Sequence, residues 1–176
     1  MATDLLGCVI EIAAGVTLGV FLEERILGPL GMEDKGFHVP EAKLERLAAM
    51  YSPTEQEGLR LVDAPATSPF RRPSRFLSGG IGLVSTGADY LRFAQMLLNR
   101  GELEGTRLLG RKTVELMTAN HLPEELIPIR LQPHTLDGCG FGLGFRVTVN
   151  AARASLLTFE GEYGGVVLPA PASLST

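Results

Sequence analysis

Two apolar helices written back to back at the start of the chain constrain its fold more than any other feature. In "TDLLGCVIEIAAG", Thr3 and Asp4 form an N-cap signal, and Leu5, Leu6, Val9, Ile10 and Ala13 follow with helical spacing. Gly15 interrupts the pattern. Thr17 then opens a second helix, with Leu18, Phe21, Leu22 and Ile26 expected inside and Glu23, Glu24 and Arg25 outside, ended by Pro29 and Gly31. Two amphipathic helices cannot bury both apolar faces against each other alone. They require a sheet or further helices.

The length, 176 residues, suits one domain able to bury roughly 70% of its unfolded surface. A hydrophobic share of 45% with 20% charged residues fits a globular chain. The net charge of −4 argues against nucleic acid and anionic membrane surfaces as partners. The basic cluster Arg71, Arg72 and Arg75 lies in a Pro-rich stretch and reads as a solvated loop. Cys8 and Cys139 supply neither metal spacing nor a disulfide framework, and Cys8, on the helical face of Leu5 and Ile12, reads as a buried, inert thiol. The longest apolar stretch is broken by Glu11, Gly15 and Thr17, short of the ~20 clean residues of a membrane span. With no basic N-terminal region or small-residue cleavage site, the sequence as written reads as cytoplasmic.

From Gly36 to Arg75 the chain is irregular and Pro-rich, with one short helix expected over Glu41 to Met50. Order resumes at "SGGIGLVSTGADYLRFAQMLLNRGEL". Gly79, Gly80 and Gly82 permit a tight turn or a close approach, and Thr86 with Asp89 has the spacing of a weak capping box. Leu91, Ala94, Met96, Leu97 and Leu98 are the expected apolar face, closed by Gly101 as a C′ residue. A turn around Gly105 and Thr106 precedes a short helix in "GRKTVELMTANHL". "CGFGLGFRVTVN" alternates like a strand, and "SLLTFEGEYG" is its expected antiparallel partner. The fold class is therefore α+β.

Motif by motif, most chemistry is excluded. Gly80-Ile81-Gly82 comes nearest to a dinucleotide fingerprint, but Ser85 stands at the third glycine and a P-loop lysine is lacking. His38, His121 and His134 are scattered in loops, so no metal is expected, and no cofactor. The elbow G-x-S-x-G does not occur. "FGLGF" reads as a glycine-studded strand against which something packs closely, not as a phosphate loop.

The blocks "TDLLGCVIEIAAG", "FLEERILGPLGM", "GFHVP", "SGGIGLVSTGADYLRFAQMLLNRGEL", "LLGRKTVELMTANHL" and "GFGLGFRVTV" stand in an order that closely resembles the serine β-lactamase-related family. That family holds class C β-lactamases, D-Ala-D-Ala peptidases and lactamase-like esterases. The likeness runs to Gly164. It implies a β-lactamase/transpeptidase-like fold and an acyl-serine mechanism. A serine in Ser-x-x-Lys is activated by the lysine, a tyrosine in Tyr-x-Asn or Tyr-x-Ser assists proton transfer, and a third motif lies on the strand edging the cleft. Backbone N–H groups beside the serine and on that strand stabilise the oxyanion.

The sequence departs from that pattern. No serine is followed by lysine three positions on: Ser52, Ser68, Ser74, Ser78, Ser85 and Ser155 all fail. None of Tyr51, Tyr90 and Tyr163 precedes Asn or Ser by two, and Lys112-Thr113-Val114 lacks the glycine of Lys-Thr-Gly. In the family the first two motifs come before the "TDLLG" block. The resemblance therefore implies a C-terminal portion of the fold without the N-terminal strands and the nucleophile helix, inactive alone, with no catalytic residue in this chain. Gly79 and Gly80 are the candidates for lining the cleft, and Tyr163 and Gly164 lead into the third motif. The substrate of an intact relative would be a small lactam or ester, or a peptide. Unoccupied helix faces would make the chain self-associate. A non-catalytic binding domain, or a gene remnant, is the alternative reading of the same departures.

Residues 165–176 carry no charge and break the pattern, which divides the chain into 1–164, lactamase-like, and an unrelated tail over 165–176. In the esterase branch Gly164 would be followed by Trp-Gly-Gly and small residues such as Ala-Ala-Ser-Thr. Those can be encoded TGG GGT GGT GCT GCC AGC ACC. Without the first T the bases read GGG GTG GTG CTG CCA GCA CC, which translates as Gly-Val-Val-Leu-Pro-Ala-Pro, the run from Gly165 to Pro171. A one-base deletion is the expected origin of the tail; a natural flexible terminus is the alternative.

Overall fold

A computed structural model describes residues 2–54, 58–131, 134–154 and 157–165. Of these, the residues within Met1–Leu98 and Leu103–Leu108 form one compact unit, and those within Asn99–Glu102 and Leu109–Thr176 form the other. The fold is mixed, with helices and small antiparallel sheets.

In the first unit, α1 spans Ala2–Ala14 and ends at Gly15, whose φ of 70° takes the left-handed turn. Helix α2, Leu18–Leu22, is capped by the Thr17 hydroxyl, which accepts from Val20 N at 3.4 Å, and it runs on as a wide turn over Glu23–Leu27. Leu18, Leu27, Leu30 and Met32 are buried, while Glu23, Glu24 and Arg25 face water as expected. Leu27 and Leu30 carry more of that core than Phe21, Leu22 and Ile26, which are only half-buried.

The expected helix over Glu41 to Met50 stops at Arg46, as a tight turn over Glu41–Arg46, and the chain then makes a hairpin. Strand β1, Met50–Thr54, pairs antiparallel with β2, Gly58–Asp63. Pro53 argues against a strand from sequence, and both strands are largely exposed, so no apolar alternation marks them. Helix α3, Gly87–Leu98, begins where Thr86 accepts from Asp89 N at 3.2 Å. Asp89 does not complete the capping box. Its side chain is buried and accepts from the backbone N–H of Asp34 at 2.6 Å, tying the helix start to another loop. Met96 and Leu97 are buried as expected, but Leu91 and Leu98 are exposed. A tight hairpin, β3 (Glu102–Leu103) and β4 (Thr106–Arg107), turns through Glu104 and Gly105, both with positive φ.

In the second unit, α4 spans Arg111–Met117 and buries Val114. Strands β5 (Ile129–Leu131) and β6 (His134–Leu136) form a small antiparallel pair. The predicted single strand in "CGFGLGFRVTVN" is a hairpin. β7, Cys139–Phe141, pairs with β8, Arg146–Thr148, and the chain reverses where Gly142 N donates to Phe145 O at 2.8 Å and Gly144 takes φ 94°. The close-packing reading of "FGLGF" holds at Gly142 but not at Gly144, where a Cβ would meet nothing within 4 Å. A Cβ on Gly142 would lie 2.1 Å from the Met117 carbonyl, and one on Gly140 2.1 Å from Asn120 Oδ1. Of the expected partner strand "SLLTFEGEYG", only Tyr163–Gly164 forms a strand, β9, antiparallel to β8, and Ser155 and Leu156 lie outside the described residues.

The polarity of α1 is inverted. Asp4, Gly7 and Glu11 recur at i, i+3, i+7 and face the rest of the unit: Asp4 bonds Ser78, Gly7 is buried, and Glu11 Oε1 accepts from Leu18 N at 2.7 Å. Leu5, Val9 and Ile12 recur at i, i+4, i+7 on the opposite side and are 68%, 51% and 84% exposed. The thiol of Cys8 beside them is half-buried, not buried as its neighbours' side chains suggested, because that face looks outward. Leaving such side chains in water forgoes roughly 1.5–3 kcal/mol apiece. No single helix among the described residues is long and apolar enough to cross a membrane.

Candidate functional site

The four residues singled out from sequence fall in two pairs, one in each unit. In the first unit, the turn at Ser78, Gly79 and Gly80 lies directly on the first turn of α1. The Ser78 hydroxyl donates to Asp4 Oδ1 and accepts from the backbone N–H groups of Gly80 and Ile81, each at 3.1 Å. A Cβ on Gly79 would stand 2.1 Å from the Thr3 carbonyl oxygen, and one on Gly80 2.4 Å from the Thr3 hydroxyl. Gly79 is therefore demanded by backbone approach, and Gly80 by the Thr3 side chain. They also border a cavity of about 320 Å³, walled by Leu6, Ile10, Leu18, Phe37, Ile81 and Leu83.

In the second unit, β9 holds Tyr163 and Gly164 at the edge of the sheet β7-β8-β9. Val147 pairs with Tyr163 and Arg146 with Gly164, and the ladder continues as Thr148 N donates to Glu162 O at 2.8 Å and Gly161 N to Thr148 O at 2.9 Å. The Tyr163 ring meets Phe145 edge-on, with centroids 5.5 Å apart, and burial raises its phenol above the ordinary 10.0. A Cβ on Gly164 would meet nothing within 4 Å, so the space in front of this strand end is open.

A polar chain that sequence reasoning missed anchors that edge. Thr148 and Thr158 hydroxyls are 3.0 Å apart, Thr158 donates to Glu162 Oε2 at 2.9 Å, and Glu162 Oε1 lies 3.6 Å from Arg146 Nη2. The available signal was period two: Arg146 and Thr148 fall on one face of β8. Arg146 Nε is buried and has no hydrogen-bond partner among the described residues. The arrangement holds a short strand with one side paired, and among the described residues no strand lies along its other side. Backbone donors and acceptors there suit an extended ligand or a further strand.

Neither pair supplies a nucleophile with its base. The described serine hydroxyls of Ser52, Ser68, Ser74, Ser78 and Ser85 bond backbone groups or carboxylates, and none meets a lysine or histidine side chain. Ser155 lies outside the described residues. Among the described residues no group of three His, Cys, Asp or Glu side chains could hold a metal ion.

The family model described as "Beta-lactamase" matches residues 1–172. Protein Rv1367c of Mycobacterium tuberculosis is 36% identical over 170 residues, which cover 93% of this chain and 40% of that protein. The lovastatin esterase of Penicillium rubens is 29% identical over 168 residues, covering 92% of this chain and 41% of its own. Among solved structures, EstCE1, a hydrolase with promiscuous acyltransferase activity, superposes with a TM-score of 0.70 at 25% identity, over 91% of this chain and 42% of that one. The chain belongs to the serine β-lactamase-related family, and its fold is part of the β-lactamase/transpeptidase-like fold. It spans about two-fifths of the length of these curated relatives.

Proposed function

We propose that this chain is a portion of an acyl-serine hydrolase of the lactamase and esterase class, and that by itself it forms no acyl-enzyme. One observation carries the reading. Family likeness extends over 93% of the chain, yet its 176 residues contain no Ser-x-x-Lys. Nucleophile and base act as a unit, so their absence removes many orders of magnitude of rate. The relatives named as an esterase and as a hydrolase favour a small ester as substrate of the whole enzyme, with a lactam as the second choice. In it, Gly79 and Gly80 would border the cleft.

A chromogenic cephalosporin and a short-chain nitrophenyl ester, run beside a fluorophosphonate probe, test the reading. The isolated chain is expected to turn over neither and to take no label. Stoichiometric labelling of any serine overturns it. The same lack of Ser-x-x-Lys supports a non-catalytic binding domain as the second reading, and saturable binding of an uncleaved lactam or ester would favour it.

For residues 165–176 we propose a shifted reading frame. The support is the codon agreement over Gly165 to Pro171. The extension of the family match to residue 172 pulls the other way. The DNA decides.

A further inference from the structure

We infer that a cavity of about 330 Å³ in the first unit binds a small monocarboxylate with an apolar body. The loop over 33–40, the tight turn Glu41–Arg46 and the segment over 84–86 line it. Two chemistries meet there. Val39, Leu47, Ala48 and Val84 are apolar, and Lys43 and Arg46 are cations. Its size is at the small end of the range for ligand pockets.

The tight turn brings the cations together. With three residues per turn, side chains three apart lie in line, so Lys43 and Arg46 share one side. Both meet one carboxylate, that of Asp34, at 2.5 and 2.7 Å. Two cations on a single anion leave positive charge in surplus. A guanidinium carries five N–H donors in a planar fork, and Arg46 spends Nη1 on Asp34, which leaves the others for an incoming carboxylate.

The other charged groups on the wall narrow the choice of ligand. Lys35 is neutralised by Glu23 at 2.7 Å. Glu33 is exposed, and its backbone carbonyl, not its carboxylate, accepts from Lys43 at 3.1 Å. The Glu33 carboxylate opposes a second negative charge on the ligand, which favours a monocarboxylate over phosphate. His38 and the hydroxyls of Ser85 and Thr86 complete the polar lining.

Bonds that need no ligand shape this cavity. Asp34 N donates to the buried Asp89 at 2.6 Å, Gly36 and Val84 exchange backbone hydrogen bonds of 3.0 and 2.7 Å, and Val39 N donates to Phe70 O at 2.8 Å. A site already built loses little order when it is filled. A purely structural ion-pair cluster accounts for the pairing of Asp34, but not for an apolar hollow beside it. The site needs no nucleophile, so it holds or fails independently of the acyl-serine reading.

Octanoate is the probe, titrated calorimetrically into the full chain, with octylamine, phosphate and acetate beside it. Octanoate is expected to bind one to one with a dissociation constant of about 1 mM or below, and to shift the amide resonances of Leu47 and Val84. Octylamine has the same body and the opposite charge, phosphate has no body and a second charge, and acetate has almost no body. Each should bind at least tenfold more weakly. Arg46→Gln, at an exposed position, should weaken octanoate binding at least tenfold, and Ala48→Trp should obstruct the cavity to a similar degree. Arg72→Gln, exposed and not part of the lining, should change nothing. Octanoate that does not saturate overturns the inference. So does octylamine, phosphate or acetate binding as tightly as octanoate, or octanoate binding indifferent to both Arg46→Gln and Ala48→Trp.

Discussion

Ser78 donates its hydroxyl to Asp4, 74 residues earlier in the chain, and so clamps the glycine turn onto the first turn of α1. The same oxygen accepts from two backbone N–H groups, which makes Ser78 a structural hub. Ser78→Ala leaves the N–H groups of Gly80 and Ile81 without their acceptor. Because those N–H groups are exposed and can turn to water, a loss of about 0.5–1.5 kcal/mol in chemical denaturation is expected. Faster exchange of those two amides than of the α3 amides is the local signature, and equal exchange would refute the clamp.

Gly142→Ala should be more damaging than Gly140→Ala. The new methyl would strike the Met117 carbonyl, a backbone atom, whereas at Gly140 it strikes the Asn120 side chain. Asn120 is not entirely free to yield, because its Oδ1 accepts from Leu122 N at 3.0 Å and Phe141 N at 3.1 Å. Overpacking against backbone costs about 1–3 kcal/mol. The two midpoints, measured side by side, check the order.

Asp34 bonds Lys43 at 2.5 Å and Arg46 at 2.7 Å, and these partners, Lys43 first, hold its carboxyl below the ordinary 3.8. A carboxylate depressed in the folded state stabilises above the unfolded value, and the gain is lost as pH falls through the folded one. Acid unfolding of Asp34→Asn should therefore be less steep below about pH 4 than that of the parent chain. Asp34 is half-buried but its partner Arg46 is exposed, so the effect should shrink as salt is added. An Asp34 carboxyl resonance titrating at or above 3.8 would contradict the geometry.

Tyr163 should resist ionisation. Burial raises its phenol above 10.0, so the unfolded chain loses its proton first, and the contribution to stability falls as pH climbs from 10.0 through the folded value. Ultraviolet titration of the parent against Tyr163→Phe isolates the group. Phenolate appearing with an ordinary midpoint would show that β9 leaves the ring in water.

Resequencing the DNA beyond the codon for Gly164 decides the origin of the tail. The expected outcome is a neighbouring frame encoding Trp-Gly-Gly and further lactamase-like sequence. If neither shifted frame does so, residues 165–176 are a native segment.

Much of the secondary structure was legible because its signals are local. Thr17 and Thr86 cap helices through hydrogen bonds only three residues long, and Gly15 ends α1 with positive φ. Helix α3, by contrast, stops at Leu98 and already turns left-handed at Arg100, φ 60°, one residue ahead of the expected Gly101. The order of these blocks also sufficed to place the chain in its family. What a helix face meets is not local. Leu5, Val9 and Ile12 carry the same periodicity whether they look inward or outward, and only the bonds of Asp4 and Glu11 turn them out. "FGLGF" alternates as a strand would, but contact with Met117 and Asn120 requires it to fold back as a hairpin. The glycines at 79 and 80 could be seen in the sequence, but their reason could not, because Thr3 approaches from 76 and 77 positions away. Hydrogen bonds within a turn are specified by neighbouring residues, whereas burial is decided by whatever the rest of the chain, or a partner, brings to the other side.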